Sequence, residues 1–287
     1  MITRKLDGAA LVPALPKGTI DTQMHMYLAG FPAREGGPGL PPAPLPDAGA
    51  YRRVMRWLGI DRVVITQGNA HQNDNGNLLA CLREMGDVAR GVAVISGATP
   101  EAELARLDQA GVVGARIMDL PGGAQGLSAL EAVDARAAEM GWMLAVQFDG
   151  NRLLDLEPRL KMLKSRWVLD HHGKFFAGAG ADETSALKRL IDGGRMWYKF
   201  AGAYESSRRG GPDFADVAVY AREIAAHAPE RIVWGTNWPH NAARTTDAYP
   251  CDKALCETAL GWLPDLAARQ RVLVDNPQEL YGFAPIG

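Results

Sequence analysis

Short apolar runs alternate along the chain with longer amphipathic segments, and the pattern repeats eight times. The apolar runs lie at 19–27, 62–69, 91–97, 113–118, 142–149, 166–173, 196–204 and 231–238. Each run begins with nearly continuous apolar residues, many of them β-branched, which is typical of strands buried on both faces of a parallel sheet. Each run then becomes polar at its C-terminal end. The pattern predicts eight parallel strands whose polar ends lie on one side of the sheet.

The segments between the runs have helical spacing. Tyr51, Val54, Met55 and Leu58 recur at intervals of three and four, so they line one face of a helix. The sequence 99–101 (Thr-Pro-Glu) predicts a helix that begins with Thr99 as its N-cap, a proline in the first turn and an acid that the helix dipole favours. Further helices are predicted around the leucines of 153–163 and over 217–226.

Eight strand–helix units with no change in composition predict an α/β protein built as a single (β/α)8 TIM barrel over 1–287. We expect a short N-terminal extension at 1–17 and a long loop rich in proline and glycine at 29–47, after the first strand. A doubly wound sheet is the alternative, but that fold usually has fewer strands and a glycine-rich first turn.

Composition narrows the class of partner. The chain has 31 Lys and Arg against 33 Asp and Glu, a net charge of −2, which favours neither nucleic acid nor an anionic membrane as a partner. No apolar run reaches the roughly 18 residues of a membrane span, and 1–16 does not resemble a signal peptide. The three cysteines show no CxxC spacing, so neither a disulfide framework nor a zinc ribbon is indicated. We therefore expect a cytoplasmic protein that acts on a small molecule; the sequence does not indicate an oligomeric state.

Polar residues at the ends of the strands are the candidates for an active site, because barrel enzymes build their sites at the C-terminal ends of the strands. Five of the six histidines lie there. The candidates are Gln23, His25, Gln67, Asn69, His71, Arg116, Gln147, His171, His172, Lys199, Tyr204, Arg208, Asn237 and His240.

Each candidate also has a structural interpretation. Arg116 and Lys199 could form structural salt bridges with Asp119 or Asp149, and Arg208 could be a solvated loop charge. Side chains alternate in direction along a strand, so we expect one of His171 and His172 to face the barrel mouth and the other the layer behind it. The segment 121–126 lacks the lysine and hydroxyl of a phosphate-binding loop, and no nucleotide cofactor is predicted.

Three strand-end motifs resemble the amidohydrolase superfamily: 21–25 (DTQMH), 170–173 (DHHG) and 234–240 (WGTNWPH). Within it the chain is similar to the lactonase-like branch that includes pyrone-dicarboxylate lactonase and sugar-lactone hydrolases. The resemblance extends from the first strand to 275–277 (DNP). Members usually carry His-x-His on the first strand and an Asp on the eighth, whereas this chain has Gln23 and Asn237 at those places.

The resemblance places Gln23, His25, Arg116, Gln147, His171 and Asn237 where members usually hold a catalytic metal. Only two of these are good ligands, and a guanidinium opposes a cation, so we predict no metal and no other cofactor. The alternative is a metal held by His25, His171 and His240.

The resemblance further implies a lactone isomerase of D-galacturonate catabolism. We expect it to convert D-galactaro-1,5-lactone into D-galactaro-1,4-lactone by metal-independent intramolecular transesterification, because the amide of Asn237 cannot act as a base toward water while a tethered hydroxyl still attacks the ester. Expected catalytic residues are His171, His240, His25 and Asn237, with His171 first and His240 second as the proton carrier. Gln23, His25 and Asn237 are the expected donors to the oxyanion.

The remaining candidates are expected to bind substrate. Arg116, Lys199 and Arg208 would hold its carboxylate. Gln67, Asn69, His71, Gln147 and Tyr204 would contact its hydroxyls. The alternatives are a sugar-acid or dicarboxylate lactonase of the same superfamily and a non-catalytic sugar-acid receptor.

Overall fold

Eight parallel strands in chain order form the centre of the computed structural model, which describes residues 1–286. The strands are β1 (Ile20–Met24), β2 (Arg62–Thr66), β3 (Ala89–Ala93), β4 (Val112–Met118), β5 (Met143–Gln147), β6 (Trp167–Leu169), β7 (Met196–Phe200) and β8 (Ile232–Trp234). The last strand returns to the first through a Met24–Trp238 bridge and a hydrogen bond of 2.9 Å from Thr22 Oγ1 to the Trp234 carbonyl. The predicted barrel is confirmed.

Helices lie between the strands, as the spacing predicts. They are α1 (Ala48–Leu58), α2 (Gly76–Met85), α3 (Glu101–Gln109), α4 (Leu130–Glu139), α5 (Leu153–Leu160), α6 (Ala181–Asp192), α7 (Ala215–His227), α8 (Asp252–Leu260), α9 (Leu266–Gln270) and α10 (Asn276–Tyr281). The predicted apolar face of α1 is buried along its whole length. No helix within residues 1–286 is long and apolar enough to cross a membrane.

One helix boundary differs from the prediction. Pro100, and not Thr99, is the N-cap of α3. The Thr99 hydroxyl instead accepts a hydrogen bond of 2.9 Å from the Ser96 amide, so it stabilises the turn that precedes the helix. A proline cap contributes no side-chain acceptor, and Glu101 and Glu103 in the first turn interact favourably with the helix dipole.

The barrel interior is packed at the end where the strands begin. Alternate strand residues, among them Val64, Val168, Trp197 and Val233, fill the inside, and Leu280, Tyr281 and Phe283 close that end. A larger apolar layer separates the strands from the surrounding helices. Space for a ligand is therefore left at the opposite end, where the strands become polar.

The segment between β1 and α1 contains neither helix nor strand and crosses that polar end. Arg34 forms an ion pair with Asp74, and its backbone amide donates to the Ala70 carbonyl at 2.7 Å. Gly37 lies so close to the chain after β2 that a Cβ atom there would be 2.6 Å from the Asn69 carbonyl oxygen. These contacts fasten the segment over the barrel mouth.

Candidate active site

A cavity of about 260 Å³ opens at the C-terminal end of the barrel. Six of the predicted site residues line it, each from a different strand or the turn that follows it: His25, Asn69, Arg116, Gln147, His171 and Asn237. Pro38, Gly39 and Pro41 of the long loop cover one side. The residues that the sequence places at separate strand ends therefore meet around one small space.

His25 and His171 present the same ring nitrogen to this space. Nδ1 of His25 lies 2.9 Å from the Thr66 carbonyl oxygen, and Nδ1 of His171 lies 3.3 Å from that of Ala201. A carbonyl only accepts, so Nδ1 carries the proton in both neutral rings and Nε2 keeps its lone pair. Burial lowers the pKa of His25 to about 3, helped by Arg116, and burial lowers that of His171 to about 4. Both rings are thus neutral acceptors near pH 7, and the predicted donor role of His25 does not fit this tautomer.

Arg116 is a buried cation held by neutral acceptors. Its guanidinium donates to the Gln67 carbonyl at 2.9 Å, to Asn69 Oδ1 at 3.1 Å and to Gln147 Oε1 at 3.0 Å. No carboxylate within residues 1–286 forms an ion pair with it, so the predicted alternative of a salt bridge to Asp119 or Asp149 is wrong for this residue. Its charge remains available to an anionic ligand.

Glu205 and Lys174 line the cavity as an ion pair that the sequence did not single out. Glu205 follows β7 in a short 3₁₀ turn, and Lys174 follows the His171–Gly173 turn. Burial alone would raise the pKa of Glu205, but His171, Lys174 and Asn237 together outweigh it and lower that pKa to about 2. An acid directly after an apolar run was the signal that could have identified Glu205.

The Asn237 side chain uses both of its amide hydrogens inside the protein. Nδ2 donates to Glu205 Oε1 at 2.6 Å and to the Tyr204 hydroxyl at 2.8 Å. The reverse amide orientation would place Oδ1 against the carboxylate, so the neighbour fixes the assignment. Asn237 therefore offers an acceptor to the cavity, and the predicted donor role toward an oxyanion does not fit this geometry.

Gln23 and Lys199 lie in the barrel interior and do not line the cavity. Gln23 Oε1 accepts a hydrogen bond of 2.9 Å from Lys199 Nζ, which also lies 2.9 Å from Asp170 Oδ1. All three side chains are almost completely buried. The ion pair that was the structural alternative for Lys199 is therefore present, but with Asp170 in place of Asp119 or Asp149.

Five other predicted site residues are also away from the cavity wall. Gln67 Nε2 donates to the Asp74 carbonyl at 2.6 Å, and His71 packs on the Tyr27 ring with Nδ1 3.2 Å from the Pro32 carbonyl. The exposed guanidinium of Arg208 donates to the Ala177 carbonyl at 2.9 Å. Tyr204 and His240 lie behind Asn237. The cavity instead gains Met118 at the end of β4 and three loop residues, Tyr27, Asn241 and Arg244, in addition to the Lys174–Glu205 pair.

His171 and His172 diverge as predicted, although strand alternation is not the cause. β6 ends at Leu169, and both histidines lie in the following turn with φ of 51° and 54°. His171 lines the cavity, whereas His172 packs against Phe200 and Trp262 with ring centroids 5.0 and 5.3 Å away.

The residues around the cavity do not fit a catalytic metal. Within residues 1–286 no three His, Cys, Asp or Glu side chains are grouped to hold one. Arg116 lies among the candidate ligands, and both ring nitrogens of His240 are already bonded, to Tyr204 and to Asp252. The alternative set of His25, His171 and His240 is therefore not assembled.

Comparison with known proteins adds the family. The amidohydrolase family model matches residues 20–283. The chain is 62% identical over 287 residues to D-galactarolactone isomerase of Agrobacterium fabrum, covering 99% of this chain and 98% of that one. It is 30% identical over 277 residues to 4-sulfomuconolactone hydrolase of Rhizobium radiobacter, and the match covers 94% of this chain and 91% of that protein. A crystal structure of an Agrobacterium tumefaciens protein, described as an apo structure, superposes with a TM-score of 0.96 at 63% identity. The match covers 99% of this chain and 100% of that one.

Proposed function

The chain belongs to the amidohydrolase family, and from its similarity to the Agrobacterium enzyme we propose that it isomerises D-galactaro-1,5-lactone to D-galactaro-1,4-lactone. One observation about the site carries the proposal beyond similarity. The cavity presents two neutral imidazole acceptors and a buried guanidinium, while its carboxylate, Glu205, is occupied by Lys174 and Asn237. We place the reaction in the cytoplasm, in uronic acid catabolism.

The reaction is an exchange of one ester oxygen for another on the same carbonyl carbon. The C4 hydroxyl oxygen attacks C1 of the six-membered lactone, and a tetrahedral intermediate forms. Its collapse breaks the bond from C1 to O5, and the proton that left O4 is delivered to O5. O4 and O5 are on neighbouring carbons, so a single base reaches both.

His171 is our choice for that base. Its Nε2 lone pair faces the cavity, and positive charge on the ring is favoured by Glu205, which acts against the effect of burial on the His171 pKa. The ring accepts the proton from O4 while the intermediate forms and returns it to O5 as the intermediate collapses. General acid–base catalysis of this kind contributes roughly 10²–10⁴-fold to a rate.

Two cations divide the negative charge of the reacting lactone. Arg116 is only 3% exposed, and an electrostatic interaction is strongest where water is excluded, so we assign it to the charge that develops on the lactone carbonyl oxygen. Arg244 lies at the cavity mouth, and its guanidinium donates a long hydrogen bond of 3.3 Å to the Pro38 carbonyl. We assign it to the free carboxylate, which is charged throughout the reaction.

Isomerisation is favoured over hydrolysis because the nucleophile is part of the substrate. A well-placed internal hydroxyl has an effective concentration of up to about 10⁵–10⁸ M, far above that of water. Water competes only if a base activates it, and Glu205, with its pKa lowered to about 2 and its oxygens hydrogen-bonded, is a poor base. The step that we propose requires no metal.

The test is an NMR time course with freshly prepared D-galactaro-1,5-lactone and chelator-treated protein. We expect the 1,4-lactone as product at an unchanged rate, and we expect His171→Asn to lose at least 100-fold in kcat. The linear diacid as sole product would establish the lactonase alternative. Loss of activity on chelation, restored by zinc or manganese, would contradict the metal-independent step, and no turnover of any lactone would indicate the receptor alternative.

A further inference from the structure

Behind Asn237 a chain of three polar side chains, two of them buried, leads away from the cavity. The Tyr204 hydroxyl lies 2.8 Å from His240 Nδ1, and His240 Nε2 lies 2.9 Å from Asp252 Oδ1. His240 and Asp252 are almost completely buried, and neither they nor Tyr204 line the cavity. Their hydrogen-bonded connection to a residue that lines the cavity runs through Asn237, whose Nδ2 donates to the Tyr204 hydroxyl.

The hydrogen bonds of this chain all run in one direction. Asp252 begins α8, where the helix dipole favours a carboxylate, and a carboxylate only accepts. His240 Nε2 therefore carries the proton and Nδ1 accepts one from Tyr204. The Tyr204 oxygen is then left as the acceptor for Asn237. Burial raises the pKa of Tyr204 far above its ordinary value, which keeps the hydroxyl proton in place.

We propose that Asp252, His240 and Tyr204 are positioning residues that hold Asn237 with its Oδ1 facing the cavity, where it accepts a hydrogen bond from a lactone hydroxyl next to the attacking one. Tyr204 and Glu205 take one amide hydrogen each, so neither hydrogen is left to turn toward the ligand. A side chain fixed on both of its donors loses little freedom when the substrate binds. By anchoring that neighbouring hydroxyl, it keeps O4 oriented toward the lactone carbonyl and His171.

This inference rests on the proposed isomerisation and adds the residues that set its geometry. It changes two sequence-based assignments. His240, expected as a proton carrier, acts through Tyr204, and Tyr204, expected to contact substrate hydroxyls, acts through Asn237. Gly202 permits the arrangement, since a Cβ atom there would lie 2.8 Å from Asn237 Nδ2.

The first test compares two tyrosines that pack on the same histidine. Tyr204→Phe removes the hydroxyl that links His240 to Asn237. Tyr249→Phe removes the hydroxyl of the second tyrosine that packs on His240, with the two ring centroids 5.0 Å apart. We expect Tyr204→Phe to lower kcat at least 10-fold and to change KM less than threefold, while Tyr249→Phe stays within twofold of the unmodified protein. Equal effects of the two substitutions would overturn the proposal.

The second test asks whether Tyr204 acts only through Asn237. In an Asn237→Ala background, adding Tyr204→Phe is expected to change kcat less than twofold, because the group that it positions is already gone. Losses that multiply would show a general effect on the fold and would overturn the proposal. The unmodified protein, assayed in parallel, distinguishes failure of this inference from failure of the proposed function. If the unmodified protein does not isomerise the lactone, the proposed function itself is wrong.

Discussion

Replacing Asn237 by aspartate tests how the site suppresses hydrolysis. A carboxylate at this strand end would supply a base for water, so the substitution alone would be expected to convert the isomerase into a hydrolase. The structure indicates a different result. Asn237 Nδ2 lies 2.6 Å from Glu205 Oε1, so Asn237→Asp brings two carboxylates to hydrogen-bonding distance.

The repulsion is large enough to decide the protonation state. At 2.6 Å and an effective dielectric constant of about 20, two full charges repel by about 6 kcal/mol. Protonating one of the two carboxylates at pH 7 costs less free energy than this repulsion, so the pair holds one shared proton. The new acid is then not free to activate water. Converting Glu205 to glutamine removes the repulsion and leaves the new carboxylate ionised.

The assay follows the linear diacid by NMR at pH 7, with the 1,5-lactone as substrate. We expect Asn237→Asp alone to hydrolyse slowly, and Asn237→Asp with Glu205→Gln to hydrolyse at least 10-fold faster. Glu205→Gln alone controls for loss of the Lys174 ion pair. Equal hydrolysis by the single and double variants would refute the argument that Glu205 requires an amide at position 237.

Three further predictions concern charge and pH. Arg244→Met is expected to raise KM at least 10-fold for the dicarboxylic monolactone and less than threefold for neutral D-galactono-1,5-lactone, measured by initial rates; equal changes would contradict carboxylate binding at the mouth. Because the pKa values of His171 and His25 are about 4 and 3, we expect kcat/KM to be constant from pH 8 to 6 and to fall as the pH drops through 4; a midpoint near 6.5 would contradict this. Burial also lowers the pKa of His172 to about 3, so below pH 6.5 the unfolded chain binds a proton at this ring that the folded chain does not. This difference lowers the free energy of unfolding by about 2 kcal/mol at pH 5 and by almost nothing at pH 8. We therefore expect the unfolding free energy of His172→Phe, relative to the unmodified protein and measured with urea, to be about 2 kcal/mol higher at pH 5 than at pH 8. The same relative value at both pH values would contradict this effect of His172.

The barrel could be predicted from sequence because the pattern that defines it is local and repeated. Each strand is a short apolar run, and errors at the ends do not change the count. The run 166–173 contains a strand of only three residues, Trp167–Leu169, yet the histidines after it still reach the barrel mouth. What failed locally was the cap at Thr99, where a neighbouring turn competes for the same hydroxyl.

The site was predicted less completely, because depth along a strand is not encoded in residue type. Gln23 and His25 are two residues apart on the same side of the chain, but only His25 lines the cavity, while Gln23 bonds Lys199 inside the barrel. Residues delivered by loops carry no periodic signal at all, and this explains why Arg244 was missed. Asn237 was found by its position, but its hydrogen-bonding direction depends on Glu205, a partner that only the folded chain reveals.

The charges around the cavity match the transition state better than the bound lactone. Arg116, Arg244 and Lys174 contribute +3 and Glu205 contributes −1, so the wall carries +2 while both histidines are neutral. A monolactone with one carboxylate brings −1, and the oxyanion of the tetrahedral intermediate adds a second negative charge. Transfer of the O4 proton to His171 raises the wall to +3 as the ligand reaches −2, so wall and ligand attract each other more strongly in the intermediate than in the bound lactone, and this lowers the barrier beyond merely binding the substrate.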